Sequence, residues 1–268
     1  KAREGVTQAN YGCAVSHEFA RAMVIDGSDG DYLLDGPIAA LETRKKSGWS
    51  VTRPTLEQVN AILDEIDKGL QAGAMGIGST VGYMRDGVSS REMFEVQKVG
   101  ARYGRATGAH TRYTLGTDTT ENNGAQELVA NALALDAPAI VLHFNNDGWR
   151  LAHQMITNLQ EQGHNIWGEI YPYAAGSTPI NAEFLEPESW VDDLGKRYED
   201  TMMNPDTGEF YTLETYKETI ASEPTTVIVL FKQPEENTAK WLTLKGVTMA
   251  SDATAGTPYD APWDYPLA

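Results

Sequence analysis

Residues 139–146 read AIVLHFNN, and no other stretch constrains the fold as tightly. Four apolar residues, three of them aliphatic and two β-branched, run straight into a histidine, and asparagines follow at once. A run apolar on both faces predicts a strand buried in a parallel sheet, and the change to polar residues marks its carboxyl end. His143 is thereby expected where α/β enzymes assemble their chemistry.

The flanking chain repeats the pattern. Gly5–Tyr11 has the Thr, Val and Tyr content of a strand and ends at Gly12-Cys13, so Cys13 is expected just past a strand end. Ala20–Ile25 is read as a short strand. Pro54-Thr55 opens a helix in which Leu56, Val59, Ile62, Leu63, Ile66 and Leu70 recur at helical spacing before Gly73 stops it. Ala74–Ser79 then predicts a small glycine-broken strand, Ser90–Tyr103 a helix, and Arg105–His110 a strand that also ends in histidine. Gln126–Leu135 and Trp149–Gln162 are read as helices on either side of the Ala139 strand, and Asn165–Tyr171 as the strand that follows. Strands alternating with helices of 10 to 15 residues predict repeated βαβ units around a parallel sheet. The rhythm breaks at residues 182–212, an aromatic, acidic and turn-rich excursion over the barrel mouth of the kind that often forms a substrate lid. Thr225–Phe231 reads as a buried strand, Glu235–Leu244 as a short helix, and Val247–Ser251 as a last strand delivering Asp252.

Composition narrows the function. Of 268 residues, 38 are Asp or Glu and 21 are Lys or Arg, a net charge of -17. That field repels phosphate backbones and anionic lipid, so neither nucleic acid nor a membrane surface is an expected partner. With one cysteine, Cys13, no internal disulfide can form, and no run of about 18 apolar residues suggests a membrane span. A cytoplasmic location is the expectation.

Four residues then stand at expected strand ends: Cys13, His110, His143 and Asp252. Thiolate, imidazole and carboxylate are the groups a zinc-type ion takes, and side chains remote in sequence converge when they top neighbouring strands. The expected chemistry is metal-assisted hydrolysis, in which a metal lowers the pKa of a water and a carboxylate moves its proton. Arg112, in His110-Thr111-Arg112, could hold an anion or form a surface salt bridge.

The segments GVTQANYGC at residue 5, GAMGIGSTVGY at 73, GAHTR at 108, VLHFN at 141, EIYPYAAGST at 169 and MASDA at 249 resemble, in order, the D-aminoacylase group of N-acyl-D-amino-acid deacylases, in the amidohydrolase superfamily. YPYAAGST is the most specific of them. The resemblance implies a (β/α)8 TIM-type barrel forming one catalytic domain over residues 1–268. It implies one zinc ion, with a second as an alternative in the full-length enzyme, held by Cys13, His110 and His143, and Asp252 as proton shuttle. It further implies that Tyr83, Tyr171 and Ser177 line the substrate site. Two residues past the sixth-strand histidine the group tends to place a lysine, where this chain has Asn145, which is counted with the substrate-binding residues. The substrate so implied is a small N-acyl amino acid.

The group's His-x-His pair would precede Lys1 and its His-Pro-Arg segment would follow Ala268, so the chain is expected to be an internal part of a longer enzyme whose barrel is incomplete. An opened barrel exposes two strand edges, and poor solubility or a homo-oligomer is the expected consequence. Cyclic-amide hydrolysis, as in hydantoinases or dihydroorotases, is an alternative, and so is a non-catalytic barrel with a partial site. The cyclic-amide enzymes usually bridge two metals with a lysine on the fourth strand, and AMGIGS has none.

Overall fold

The structure, a computed structural model, describes residues 12–29, 48–112, 123–146, 148–231 and 234–250. The expected strand Gly5–Tyr11 and the shuttle candidate Asp252 lie outside the described residues.

Thr55 starts a helix as its sequence predicts, because its hydroxyl accepts from the Gln58 amide while the Gln58 side chain accepts from the Thr55 amide. One face of that helix buries Ile62, Ile66 and Leu70 against the sheet. The same logic recurs along the chain: β1 (Val15–Ser16), α1 (His17–Asp26), α2 (Leu56–Gln71), β2 (Gly76–Ser79), α3 (Ser90–Arg102), β3 (Ala106–Ala109), α4 (Gly124–Ala134), β4 (Ala139–Val141), α5 (Trp149–Glu161) and β5 (Ile166–Ile170). These strands, with the last described strand Val247–Met249, form a six-stranded sheet in which every pairing is parallel. Their order is β1-β2-β3-β4-β5, then Val247–Met249, so each strand lies beside the one before it. The described strands make an open sheet with two edges, not a closed barrel.

Ala20–Ile25 is helical, not extended, which corrects the strand expected there. Ser16 caps α1 by accepting from the Phe19 amide, and Gly27 closes it in the left-handed conformation. Its Val and Ile residues pack on α2 and the sheet, so tertiary burial outweighs their weak preference for strands.

The break in rhythm is wider than residues 182–212. It is a second sheet, antiparallel, of β6 (Ala175–Pro179), β7 (Met202–Met203) and β8 (Val227–Phe231), with β8 in the middle. The apolar run Thr225–Phe231 therefore belongs to this inserted layer and not to the parallel sheet. A separate core forms around Ile180, Leu185, Trp190, Tyr198, Tyr216, Ile228 and Leu230. The Tyr198 and Tyr216 rings stack there at 4.5 Å, and burial pushes the Tyr198 phenol up to about 12. The helix α6 (Leu213–Ser222) precedes β8, and α7 (Glu236–Trp241) leads back to β9 (Val247–Met249), which pairs directly with β5. No helix among the described residues is long and apolar enough to cross a membrane.

Candidate metal centre

His110 follows β3 and His143 follows β4 by one turn residue, so both histidines stand at the carboxyl ends of adjacent parallel strands. Their rings meet edge to face with centroids 4.6 Å apart. Tyr83 packs on His110 at 4.5 Å, and Tyr171, at the end of β5, lies 6.3 Å from His143. Four expected site residues thus share one mouth.

Main-chain bonds fix the histidines. The His110 amide donates to the Ser79 carbonyl, and its own carbonyl accepts from the Gly82 amide. Gly82 belongs to a short turn of 3-10 helix, Val81–Tyr83, which brings Tyr83 over the imidazole. A Cβ at Gly82 would overlap the His110 ring and lie 2.7 Å from the Thr111 oxygen. The missing side chain is what permits the contact. No pattern within STVGY marks Gly82 as a residue of the site, since the ring it faces is contributed from a separate strand.

The second sheet leans on the same mouth. The Tyr83 hydroxyl is 3.2 Å from the Thr178 hydroxyl, the Tyr83 ring is 6.0 Å from that of Phe184, and Arg85 pairs with Glu183 at 3.0 Å. Burial, and then the nearby Asp86, push the Glu183 carboxyl above the usual range, while Arg85 opposes them.

Other expected site residues are placed elsewhere. Cys13 stands two residues before β1, is exposed, and its carbonyl accepts from the Met75 amide at the foot of β2, while the strand expected before it lies outside the described residues. His110 follows Ala109, which pairs with Ser79 at the carboxyl end of β2, whereas Met75 precedes the first residue of β2. Cys13 does not join His110 and His143 in a group of three metal-ligating side chains among the described residues. Val15, two residues on, pairs with Ile77 and packs where a Cβ on Gly69 would stand. Arg112 is committed to structure: its guanidinium pairs with Glu127 at 3.1 Å and donates to the carbonyls of Arg85 and Val88, both at 2.7 Å. Asn145 is buried, with its amide donating to the Tyr171 carbonyl at 2.8 Å and accepting from the Tyr171 amide at 3.2 Å. Ser177 is exposed on β6 and donates to the Ile228 carbonyl. Because strand residues alternate in direction, it faces away from the side on which Thr178 meets Tyr83.

Among the described residues no three His, Cys, Asp or Glu side chains form a group that could hold a metal ion. The donor pair itself fits one: two imidazoles on a tetrahedral zinc-type ion have ring centres roughly 5 Å apart, close to the separation of His110 and His143. The described residues thus offer two nitrogen donors to such an ion.

No family model matches the chain, and neither does any curated protein. Solved structures do. An N-acyl-D-glutamate deacylase from Bordetella bronchiseptica, complexed with zinc and a phosphonate that mimics the tetrahedral intermediate, matches with a TM-score of 0.60 at 18% identity, over 80% of this chain and 46% of that one. A D-aminoacylase described as defining a novel subset of amidohydrolases matches with a TM-score of 0.57 at 18% identity, over the same shares. A D-aminoacylase structure concerned with a binuclear metal centre gives 0.57, again at 18% identity and over the same shares. The chain spans about half the length of each of these structures. The described chain therefore shares its fold with the D-aminoacylase group of amidohydrolases.

Proposed function

We propose that the enzyme to which this chain belongs hydrolyses a linear amide with the help of a metal ion, zinc in the first instance, and that its substrate is an N-acyl amino acid, of D configuration by analogy with the matched structures. The observation that carries the proposal is the contact between His110 and His143 at the carboxyl mouth of a parallel sheet. The fold likeness supports it, since one matched protein was captured with zinc and a mimic of the tetrahedral intermediate.

When bound, such an ion supplies a water that is nucleophilic near pH 7 and polarises the amide carbonyl. His110 and His143 would hold it. Asp252 would take the proton from the attacking water and return it to the leaving amine. Tyr83 and Tyr171 would wall the substrate, and Phe184, which faces Tyr83 from the inserted sheet, would close the apolar side.

The test is a panel of N-acyl-D and N-acyl-L amino acids, together with hydantoins and dihydroorotate, given to the zinc-saturated full-length enzyme. Hydrolysis of linear N-acyl compounds with little or no opening of the rings is the expected result. An enzyme inert to every linear member sinks the proposal.

A further inference from the structure

His143 has a φ of +32°. Only one other described non-glycine residue, Asp136, has a positive φ. A side chain with a Cβ is costly in that region, and such a conformation persists when its surroundings over-determine it. Each of the three residues after His143 supplies a constraint. Phe144 donates its amide to the Glu169 carbonyl on β5, and its ring lies where a Cβ on Gly168 would stand, 2.6 Å from the ring's Cδ1. Asn145 grips Tyr171 through both atoms of its side-chain amide. Asn146 donates its side-chain amide to the His143 carbonyl at 2.9 Å and its main-chain amide to the Phe144 carbonyl at 2.8 Å.

From this juxtaposition we infer that Asn145 and Asn146 are positioning residues, which lock His143 in its left-handed conformation and so present its ring beside His110. The inference rests on the proposed metal site. At residue 145 the chemistry is selective. Tyr171 offers one carbonyl and one amide, and only a side chain that both donates and accepts satisfies the two together. A lysine donates but cannot accept, and an aspartate accepts but cannot donate. Asn145 touches no reacting atom in this arrangement; it sets the spacing between the β4 and β5 mouths, where His143 and Tyr171 sit.

The experiment uses the full-length enzyme and its variants Asn145→Asp and Asn146→Asp, which keep side-chain shape. Each is loaded with cobalt(II), and the visible spectrum, the cobalt dissociation constant by chelator competition and the melting temperature are read together. Partners that orient a metal ligand typically alter affinity by about 10- to 100-fold when removed. Both variants are expected to bind cobalt about 10- to 100-fold more weakly, with a changed visible band, while melting cooperatively. Unchanged cobalt affinity and spectrum overturn the inference even if the melting temperature falls, because that pattern belongs to a purely structural role. Loss of the folded state in both variants assigns the amides to the scaffold and overturns it as well. A parent enzyme that binds no cobalt overturns the metal reading beneath it, and is told apart by needing no variant.

Discussion

Replacing Glu92 with alanine is expected to destabilise the protein by about 3–5 kcal/mol, the usual cost of leaving a buried charge without its partner. Glu92 lies on α3 with its carboxylate 2.5 Å from the Arg21 guanidinium and 3.1 Å from His17, and all three side chains are wholly buried between α1, α3 and the sheet. Arg21 also donates to the carbonyls of Trp49 and Thr52. Those neutral acceptors remain in the variant, but nothing balances the charge. Burial alone would raise the Glu92 carboxyl; His17 and then Arg21 outweigh it and hold the group below the usual glutamate range. A carboxyl whose folded pKa is depressed contributes its stability above the unfolded value, about 4.3. That contribution is lost as pH falls through the lower, folded value. Urea titrations of parent and E92A from pH 7 down to pH 3 check both points. The midpoint should drop at pH 7 with little change in slope, and the gap between the two proteins should narrow as acid protonates the parent's carboxyl. A midpoint within experimental error of the parent at pH 7 would refute the account of this cluster.

Gly82→Ala is expected to reduce kcat/KM on the proposed amide substrate about 100-fold, the scale of loss that follows a displacement of about 1 Å in a positioned group. The new methyl would stand 2.7 Å from the His110 Nε2 and 2.7 Å from the Thr111 carbonyl oxygen. The imidazole could swing away, but the carbonyl belongs to the backbone and cannot. Either His110 leaves its contact with His143 or the Val81–Tyr83 turn retreats and takes Tyr83 with it. Overpacking of this kind costs about 1–3 kcal/mol of stability, so the variant should fold. Steady-state kinetics beside a thermal melt on the full-length enzyme decide it. Full activity in a folded variant would show that the site tolerates the shift and that the Tyr83 to His110 packing is incidental.

The parallel layer was legible because its signals are local. Helical spacing from Leu56 to Leu70 and the cap at Thr55 need no knowledge of the rest of the chain, and the helix runs where they place it. The strand end at His143 was legible for the same reason, since a short apolar run that ends abruptly marks both a strand and its carboxyl end, and Ala106–Ala109 before His110 is a strand as its place in the alternation predicts. The surroundings of Cys13 were not, because the strand that starts two residues after it, Val15–Ser16, is too short to carry a pattern of its own. Nor could Thr225–Phe231 be assigned to a sheet, since a run apolar throughout is equally at home in the middle of an antiparallel layer, where β6 and β7 flank it. Arg112 and Asn145 show the remaining gap. Their residue types suit anion or substrate binding, but what each does depends on partners, Glu127 and Tyr171, that only the fold brings within reach. Asn146 and Gly82 carried no signal at all, as one acts through its neighbour's carbonyl and the other through the absence of a side chain.

His110 and His143 are proposed to share a metal ion, which elemental analysis of the purified full-length protein beside its His110→Ala and His143→Ala variants would reveal. Near-stoichiometric zinc is expected in the parent, and its loss, with unchanged folding by circular dichroism, in each variant. Zinc retained in full by both variants, or a parent without metal after zinc is supplied, would contradict it.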